Sequence, residues 1–140
     1  MTEVISKTTK IQRNAEEVYN YLSDFRNLDD IVPRDKITEW HTTEDQCHFK
    51  IEGLGKAGMQ ITEKEPPKLI KLSSLEDSSI NFNFWLQLKQ IDNEDTRIRV
   101  VIKAKLNPLM KAMVSKHLQQ GADSIVDKLA DFFNNRSDLQ

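Results

Sequence analysis

The stretch DTRIRVVIKAKLNPLMKAMVSKHLQQGADSIVDKLADFFN, residues 95–134, changes its hydrophobic period partway along. Before Asn107, apolar residues alternate with charged ones, and this period of two predicts a β-strand over 95–106 with one buried face. From Pro108 onward, the apolar residues recur at helical spacing. Proline suits the first turn of a helix, where the amide that it lacks would have no partner, so we predict a helix over 108–134.

The predicted C-terminal helix is long, about 40 Å at 1.5 Å per residue, which exceeds the length of a typical globular helix. Its apolar stripe consists of Met110, Met113, Val114, His117, Leu118, Gly121, Ile125, Leu129 and Phe132. A stripe of this length needs an equally long apolar surface to lie on. A curved sheet provides such a surface, and the upstream sequence predicts one.

Six strands are predicted ahead of the helix, over 36–42, 46–52, 57–64, 68–75, 79–91 and 95–106. Short stretches rich in Gly, Pro, Asp and Asn separate them, as is typical of turns. Strands joined by short connections usually pair with their neighbours, so the set predicts an antiparallel meander. The apolar face is clearest in 79–91, where it consists of Ile80, Phe82, Phe84, Leu86 and Leu88.

The N-terminal part predicts one more strand and two short helices. Residues 4–11 are rich in β-branched types and predict a strand. Asn14 is a suitable cap for a helix over 15–23, because its side chain can accept a hydrogen bond from a free amide of the first turn. A second short helix over 24–31 should end before Pro33, since the residue preceding proline favours an extended conformation.

Together these elements predict one α+β domain over residues 1–140. Two short helices follow the first strand, and a seven-stranded curved antiparallel sheet wraps around the long C-terminal helix. The length of 140 residues, with a mass of 16.3 kDa, suits a single domain. A chain of this size can bury enough surface to fold without a disulfide or a metal.

Charge and hydropathy narrow the classes of function. The formal net charge is −2, with 20 Lys and Arg against 22 Asp and Glu, so we expect no nucleic-acid partner. No apolar run approaches the roughly 20 residues that span a bilayer, and the N-terminus lacks the pattern of a signal peptide. We therefore expect no integral membrane association and a cytoplasmic location.

Cys47 is the single cysteine, which excludes an internal disulfide and suits a reducing compartment. No cofactor is expected, and the oligomeric state stays open.

Three segments carry a family resemblance: IQRNAEEVYNYLSD at 11–24, Ile31-Val32-Pro33, and EPPKLI at 65–70. With the order of elements, they resemble the START/polyketide-cyclase-like (SRPBCC) superfamily, which includes the birch-pollen-allergen type. The resemblance covers nearly the whole chain and implies the helix-grip fold, with a cavity between the concave sheet face and the C-terminal helix. Members of the superfamily bind, carry, cyclise or hydrolyse very different apolar molecules, so the resemblance implies a binding cavity but does not identify its ligand.

The apolar faces of the predicted elements would line this cavity. From the sheet and the helix, the predicted lining residues are Trp40, Phe49, Met59, Ile61, Leu72, Phe84, Leu86, Val100, Ile102, Met110, Met113, Val114 and His117. Apolar walls with few polar groups are typical of small-molecule sites. For each methionine, a flexible pocket surface and ordinary core filling are the two interpretations.

His117 is a candidate either for the polar group that orients a ligand in the cavity or for acid–base catalysis, because its pKa normally lies near neutrality. The alternative is a histidine at the rim of the stripe that bonds to a neighbour or to water. Tyr19, Tyr21, Arg26 and Glu63 are candidate helpers, but the sequence assigns no partner to His117 and shows no Ser-His-Asp or Cys-His pattern. No catalytic residue is therefore assigned.

Two patterns suggest ligands that we do not expect. His41 and His48 lie on neighbouring predicted strands, but His48 alternates out of phase with Cys47 and Phe49 and should face solvent, so no metal site is predicted. The segment GLGKAG at 53–58 matches the dinucleotide pattern GxGxxG, which requires a following helix. A strand is predicted there instead, which favours a hairpin loop near the mouth of the cavity.

Two further residues each have two interpretations. Gly121 lies inside the long helix, where glycine costs about 1 kcal/mol relative to alanine. Its functional interpretation is a bend, or room for a ligand against the backbone, and the alternative is close packing against a bulky strand residue. Trp85 lies on the polar face of its strand and contacts either a protein partner or the outer face of the sheet.

Three classes of function are consistent with these features. The first is binding of a small hydrophobic molecule, such as a lipid, a quinone, a polyketide-like or an isoprenoid compound. The second is a cyclase/aromatase-like or hydrolytic enzyme acting on such a ligand, which needs an acid–base pair or an activated nucleophile in the cavity. The third is a protein-interaction module whose cavity is filled by side chains. The size of the cavity and the polar groups that face it distinguish the three.

Overall fold

The computed structural model of the protein describes the backbone of residues 2–32, 34–35, 37–53 and 55–135. It describes their side chains except those of Asp30, Ser115 and Lys116. The strands are β1 (Thr2–Ile5), β2 (Thr9–Ile11), β3 (Ile37–Thr42), β4 (Gln46–Ile51), β5 (Gly55–Glu65), β6 (Leu69–Ser74), β7 (Asn81–Asp92) and β8 (Asp95–Lys105). The helices are α1 (Ala15–Leu22), a 3-10 helix (Phe25–Asp30) and α2 (Pro108–Asn134).

All the strands belong to one antiparallel sheet in the order β1-β8-β7-β6-β5-β4-β3, and β2 also pairs with β8. The meander of six strands and the long C-terminal helix are confirmed, with strand ends that differ by at most two residues from the prediction. The predicted helix over 24–31 is a 3-10 helix. The architecture is the α+β helix-grip arrangement, with β1 and β2 together taking the position of the first predicted strand.

The single strand predicted over 4–11 is wrong in one respect, because the chain breaks at Ser6 into β1 and β2. The Ser6 amide donates to the Val100 carbonyl at 2.9 Å, and the Ser6 Oγ accepts from the Val100 amide at 2.9 Å. Three residues of this edge then lie opposite two residues of β8, since Ile5 pairs with Val101 and Thr9 pairs with Ile98. The extra residue makes a β-bulge, which bends the strand.

Asparagine caps begin both α-helices. The Asn14 Oδ1 accepts from the Glu17 amide at 2.8 Å, and the Asn107 Oδ1 accepts from the Met110 amide at 2.8 Å. Each bond satisfies an amide that has no partner within the helix. These local bonds explain why the predicted and observed starts of α1 and α2 coincide.

The second half of α2 packs on the core together with Leu118, whereas the first turns of the helix are largely exposed. Ala122, Val126 and Phe133 are fully buried among inward-facing residues of the sheet. In contrast, Leu109 is 71% exposed and Met113 is 57% exposed. The helix contacts β1, β2 and β8, so it lies toward one side of the concave face.

Gly121 lies between these two halves, at an exposed position of α2. A Cβ atom placed there would meet no other atom within 4 Å, apart from the backbone of the helix itself. The interpretation of Gly121 as a site of close packing is therefore wrong. The position tolerates a larger residue, and glycine only weakens the helix there.

We predict that Gly121→Ala raises the free energy of unfolding by about 1 kcal/mol, because alanine is the better helix former and meets no obstacle. Urea denaturation measures the change. Gly58→Ala is the contrasting variant: its Cβ would lie 2.9 Å from Leu75 Cδ1 and 3.2 Å from His48 Cδ2, so it should gain no stability. A loss of stability in Gly121→Ala would contradict the prediction.

Candidate ligand cavity

A cavity of about 150 Å³ lies between the second half of α2, the 3-10 segment and the concave faces of β3 to β7. Sixteen of the described residues line it: Leu22, Phe25, Leu28, Ile31, Val32, Ile37, Trp40, Phe49, Met59, Ile70, Leu72, Phe84, Leu86, Ile125, Lys128 and Leu129. All except Lys128 are aliphatic, aromatic or methionine side chains. A molecule inside would therefore contact almost entirely apolar surface.

The structure brings six of the predicted lining residues around this cavity: Trp40, Phe49, Met59, Leu72, Phe84 and Leu86. All six lie on the inward faces of β3 to β7, where the period of two predicted them. Leu72 and Leu86 are buried, whereas Met59 and Phe84 are half-buried because one side faces the open space.

The other predicted residues lie elsewhere. Val100 is fully buried in the core, and Ile61 and Ile102 pack against that core without reaching the cavity. Four more residues lie on the first half of α2, which extends away from the cavity: Met110, Met113, Val114 and His117. The helical period predicted one continuous stripe, but the sheet covers only its C-terminal part.

Sequence reasoning missed the roof of the cavity. Leu28, Ile31 and Val32 come from the 3-10 helix and the residues after it, and Ile125 and Leu129 come from the second half of α2. The apolar residues just before Pro33 were a usable signal, because surface loops rarely carry several in a row. The period alone did not indicate that this segment folds back over the sheet.

Hydrogen bonds hold the 3-10 segment over the cavity at both ends. At its start, the Phe25 amide donates to the Glu44 carbonyl in the turn between β3 and β4, at 3.0 Å. At its end, the Trp40 Nε1–H donates to Asp29 Oδ1 at 2.7 Å. The Trp40 ring also stacks on Phe49 with ring centroids 5.6 Å apart. Trp40 thus lines the cavity and also holds the 3-10 segment, which covers the cavity, in place.

A local ion pair fixes the first turn of the same segment. The Asp24 carboxylate accepts from the Arg26 amide at 3.0 Å and pairs with the Arg26 guanidinium at 2.6 Å. This guanidinium lowers the pKa of Asp24, although partial burial acts in the opposite direction. The pair closes the N-terminus of the short helix and leaves its apolar residues facing the cavity.

The candidate catalytic residues are not gathered at the cavity. His117 is exposed on α2, Glu63 is exposed on β5, and Arg26 pairs with Asp24. Tyr21 packs its ring against Phe132 and Phe133. None of these side chains is among the lining residues.

Tyr19 is the one buried candidate, at 4% exposure. Its hydroxyl finds no hydrogen-bond partner in the described part of the chain, and burial raises its pKa. A neutral phenol without a partner is no acid–base pair. Tyr19 also lies outside the lining of the cavity.

The histidine pair and the glycine-rich segment take the predicted positions. His41 pairs with His48 across β3 and β4, and both are exposed. Within residues 2–32, 34–35, 37–53 and 55–135, no cluster of three metal-binding side chains occurs.

Gly53 and Gly55 have positive φ values of 82° and 94°, and strand β5 begins at Gly55, so a hairpin and not a dinucleotide-binding helix follows. Leu54 lies outside the described residues, and the described residues of the loop do not reach the cavity.

Trp85 lies half-buried on the outer face of the sheet. Its ring is flanked by Lys71 Nζ at 5.4 Å and Lys103 Nζ at 5.5 Å from the ring centroid. Two cation–π contacts from neighbouring strands occupy the ring, which favours the interpretation of Trp85 as part of the outer packing.

Cys47 is fully buried in the core on β4. Burial raises the pKa of its thiol from an ordinary value of 9.0 to about 12, because a thiolate is poorly solvated there. The folded thiol therefore titrates above the unfolded one, and the stability of the fold falls as the pH rises from about 9 toward 12. The thiol is structural at neutral pH.

We predict that a disulfide reagent reacts with Cys47 at pH 8 only as fast as the protein opens, since the reactive thiolate is almost absent in the folded state. The absorbance of the released thiol measures the rate. The same reaction in strong denaturant is the control and should finish within minutes. Rapid stoichiometric reaction of the folded protein would contradict the burial.

We also predict that Asp29→Ala loosens the cover of the cavity, because Trp40 loses its hydrogen-bond acceptor. The amides of Asn27 and Ile31, which bond within the 3-10 segment, should exchange with deuterium roughly fivefold faster, as expected for a bond of about 1 kcal/mol. Asp29→Asn retains an acceptor oxygen and serves as the matched control. Equal exchange in all three proteins would show that the Trp40 bond does not hold the cover.

Within the described part of the chain, the helices lack the combination of length and apolar character needed to cross a bilayer. No protein-family model matches the chain, and no curated protein matches it.

Solved structures, in contrast, match over almost the full length. A truncated norcoclaurine synthase from Thalictrum flavum is 9% identical with a TM-score of 0.76, covering 97% of this chain and 95% of that one. A START superfamily protein from Mycobacterium smegmatis is 14% identical with a TM-score of 0.68, covering 95% and 97%. A protein from Deinococcus radiodurans is 17% identical with a TM-score of 0.62, covering 95% of each chain. Likeness at these identities shows the fold alone: the chain shares the helix-grip fold of these structures.

Proposed function

We propose that the protein binds a small hydrophobic molecule in the cavity under the 3-10 segment. The observation that carries this proposal is a space of about 150 Å³ whose described lining contains fifteen apolar or aromatic residues and one lysine. Empty apolar cavities of this size stay dry and accept ligands such as benzene. The likeness to a START superfamily protein supports the same conclusion at the level of fold.

The size of the cavity narrows the ligand classes. A volume of about 150 Å³ suits one ring or a short branched chain. A long-chain lipid or a complete isoprenoid quinone exceeds it, so such a ligand would place only its head or one segment inside. We therefore place a single-ring or short-chain molecule ahead of the larger lipids, quinones, polyketides and isoprenoids.

A catalytic role is the second candidate, supported by the fold likeness to norcoclaurine synthase, a protein named as an enzyme. Acid–base catalysis needs two groups of matched pKa in contact with the substrate. The described lining provides Lys128 as its single ionisable side chain, so binding accounts for the geometry with fewer assumptions. An interaction module ranks third, because the cavity is not filled by side chains.

The cytoplasm is the compartment that we propose, with one domain spanning residues 1–140. A free buried thiol and the absence of a disulfide in the described part of the chain suit a reducing environment. The expected partner is the small molecule itself.

We predict that benzene binds in the cavity with a Kd of about 1 mM or tighter, as expected for a ligand of six heavy atoms. The methyl NMR signals of the methionines report the position. Met59 lines the cavity and its signal should shift, whereas Met113 is 57% exposed on the first half of α2 and its signal should not.

Ile125→Phe is the variant that fills the cavity, and it should weaken benzene binding at least tenfold. Leu118→Phe is the matched control, because Leu118 is also partly buried on α2 but does not line the cavity. Native mass spectrometry of the freshly purified protein would show whether it retains a bound ligand. Equal shifts at Met59 and Met113, or binding that Ile125→Phe leaves unchanged, would refute the proposal.

A further inference from the structure

Among the described residues that line the cavity, Lys128 is the one with a charged side chain. It lies on the second half of α2, one turn before Phe132, and it is exposed. A shallow groove of about 330 Å³ adjoins the cavity and shares Ile31, Val32 and Lys128 with it. The residues common to both spaces mark where the cavity meets solvent.

The Lys128 ammonium group is free to meet a ligand. Of the six ion pairs in the described part of the chain, none includes Lys128. The adjacent carboxylate, Asp127, is already paired with Lys7 at 2.7 Å. Lysine side chains bury their methylene stem against apolar surface and keep the ammonium in water. Lys128 therefore contributes hydrocarbon to the wall and a positive charge to the mouth.

We propose that the ligand is an amphipathic anion, with a small apolar body in the cavity and a carboxylate or similar acidic group against Lys128. This inference rests on the proposed function and adds the class of ligand. A molecule with its apolar part in the cavity must leave through the mouth, which places its polar end beside the ammonium. An opposite charge there is stabilised, and a positive charge is repelled.

Asp131 limits this attraction. It lies on α2 three residues after Lys128 and lines the groove but not the cavity. Its carboxylate repels an anion at the mouth, although from farther out than Lys128 attracts it. We therefore expect a moderate preference for anions, and Asp131→Asn should increase that preference.

Three probes with the same apolar body test the proposal: phenylbutanoate, phenylbutanol and phenylbutylamine. The phenyl ring matches the cavity, and the chain allows the end group to reach the mouth. Isothermal titration calorimetry at low ionic strength should rank the acid tightest and the amine weakest. Added salt should weaken the acid and leave the alcohol unchanged, because salt screens exposed charges.

Lys128→Met keeps the length and the apolar stem but removes the charge. It should weaken phenylbutanoate roughly three- to tenfold, as expected for a partly exposed charge pair, and leave phenylbutanol within a factor of two. Lys111→Met is the matched control on the same helix, since Lys111 is exposed and lies outside the cavity and the groove. It should change neither affinity.

The outcomes distinguish the preference for anions from the proposed binding of a hydrophobic molecule, on which it rests. If phenylbutanol binds as tightly as phenylbutanoate, or if Lys128→Met weakens both equally, the cavity is a binding site and the preference for anions is wrong. If the amine binds tightest, Asp131 and not Lys128 selects the ligand, and the proposal is again overturned. If none of the probes binds and benzene does not shift Met59, both proposals fail.

Discussion

The concave face of the sheet is wider than one helix can cover, and the rest of the structure depends on this mismatch. α2 contacts β1, β2 and β8, where Ile98 and Val100 are fully buried beneath it. Over the inward faces of β3 to β7, α1 and α2 contribute only a few side chains, such as Leu22, Ile125 and Leu129, and leave a space between themselves and the strands. The 3-10 segment covers that region, but a short segment cannot fill it to the density of an ordinary protein core. The cavity is the space that remains.

Keeping this space empty is expensive for a domain of this size. At about 24 cal/mol per Å³ of enclosed cavity, a space of 150 Å³ that opens to solvent at its mouth costs at most roughly 3–4 kcal/mol relative to a filled core. The free energy of unfolding of a native domain is typically only about 5–15 kcal/mol, so the cost is a considerable fraction of the stability. A ligand that occupies the cavity recovers part of this energy and stabilises the folded state in proportion to its concentration over its Kd. The proposed ligand would therefore stabilise the fold by filling this space.

Features set by local bonds were predictable from the sequence, and features set by the placement of elements were not. Asn14 and Asn107 determine where α1 and α2 begin, because each caps an amide three residues away. The break at Ser6 depends on Val100, which is distant in the chain. His117 shares the apolar stripe of α2 but is exposed, since periodicity shows which face is apolar and not where a neighbouring sheet ends. The sheet side of the cavity followed from alternation, whereas its roof and Lys128 required the fold.

The 3-10 segment that covers the cavity is a short element, and the residues that follow it border the groove where the cavity meets solvent. Hydrogen bonds in 3-10 helices have poorer geometry than those in α-helices, so such segments open more readily. The sheet cannot part without losing long ladders of hydrogen bonds, and the second half of α2 is held by buried side chains such as Val126 and Phe133. Among the described residues, the bond between Trp40 and Asp29 and the bond between Phe25 and Glu44 tie the segment to the strands and turn beneath it, and the buried Phe25 ring anchors its start. Because Trp40 also lines the cavity, the proposed ligand would pack on its indole ring and so favour the position of the segment in which Trp40 bonds to Asp29.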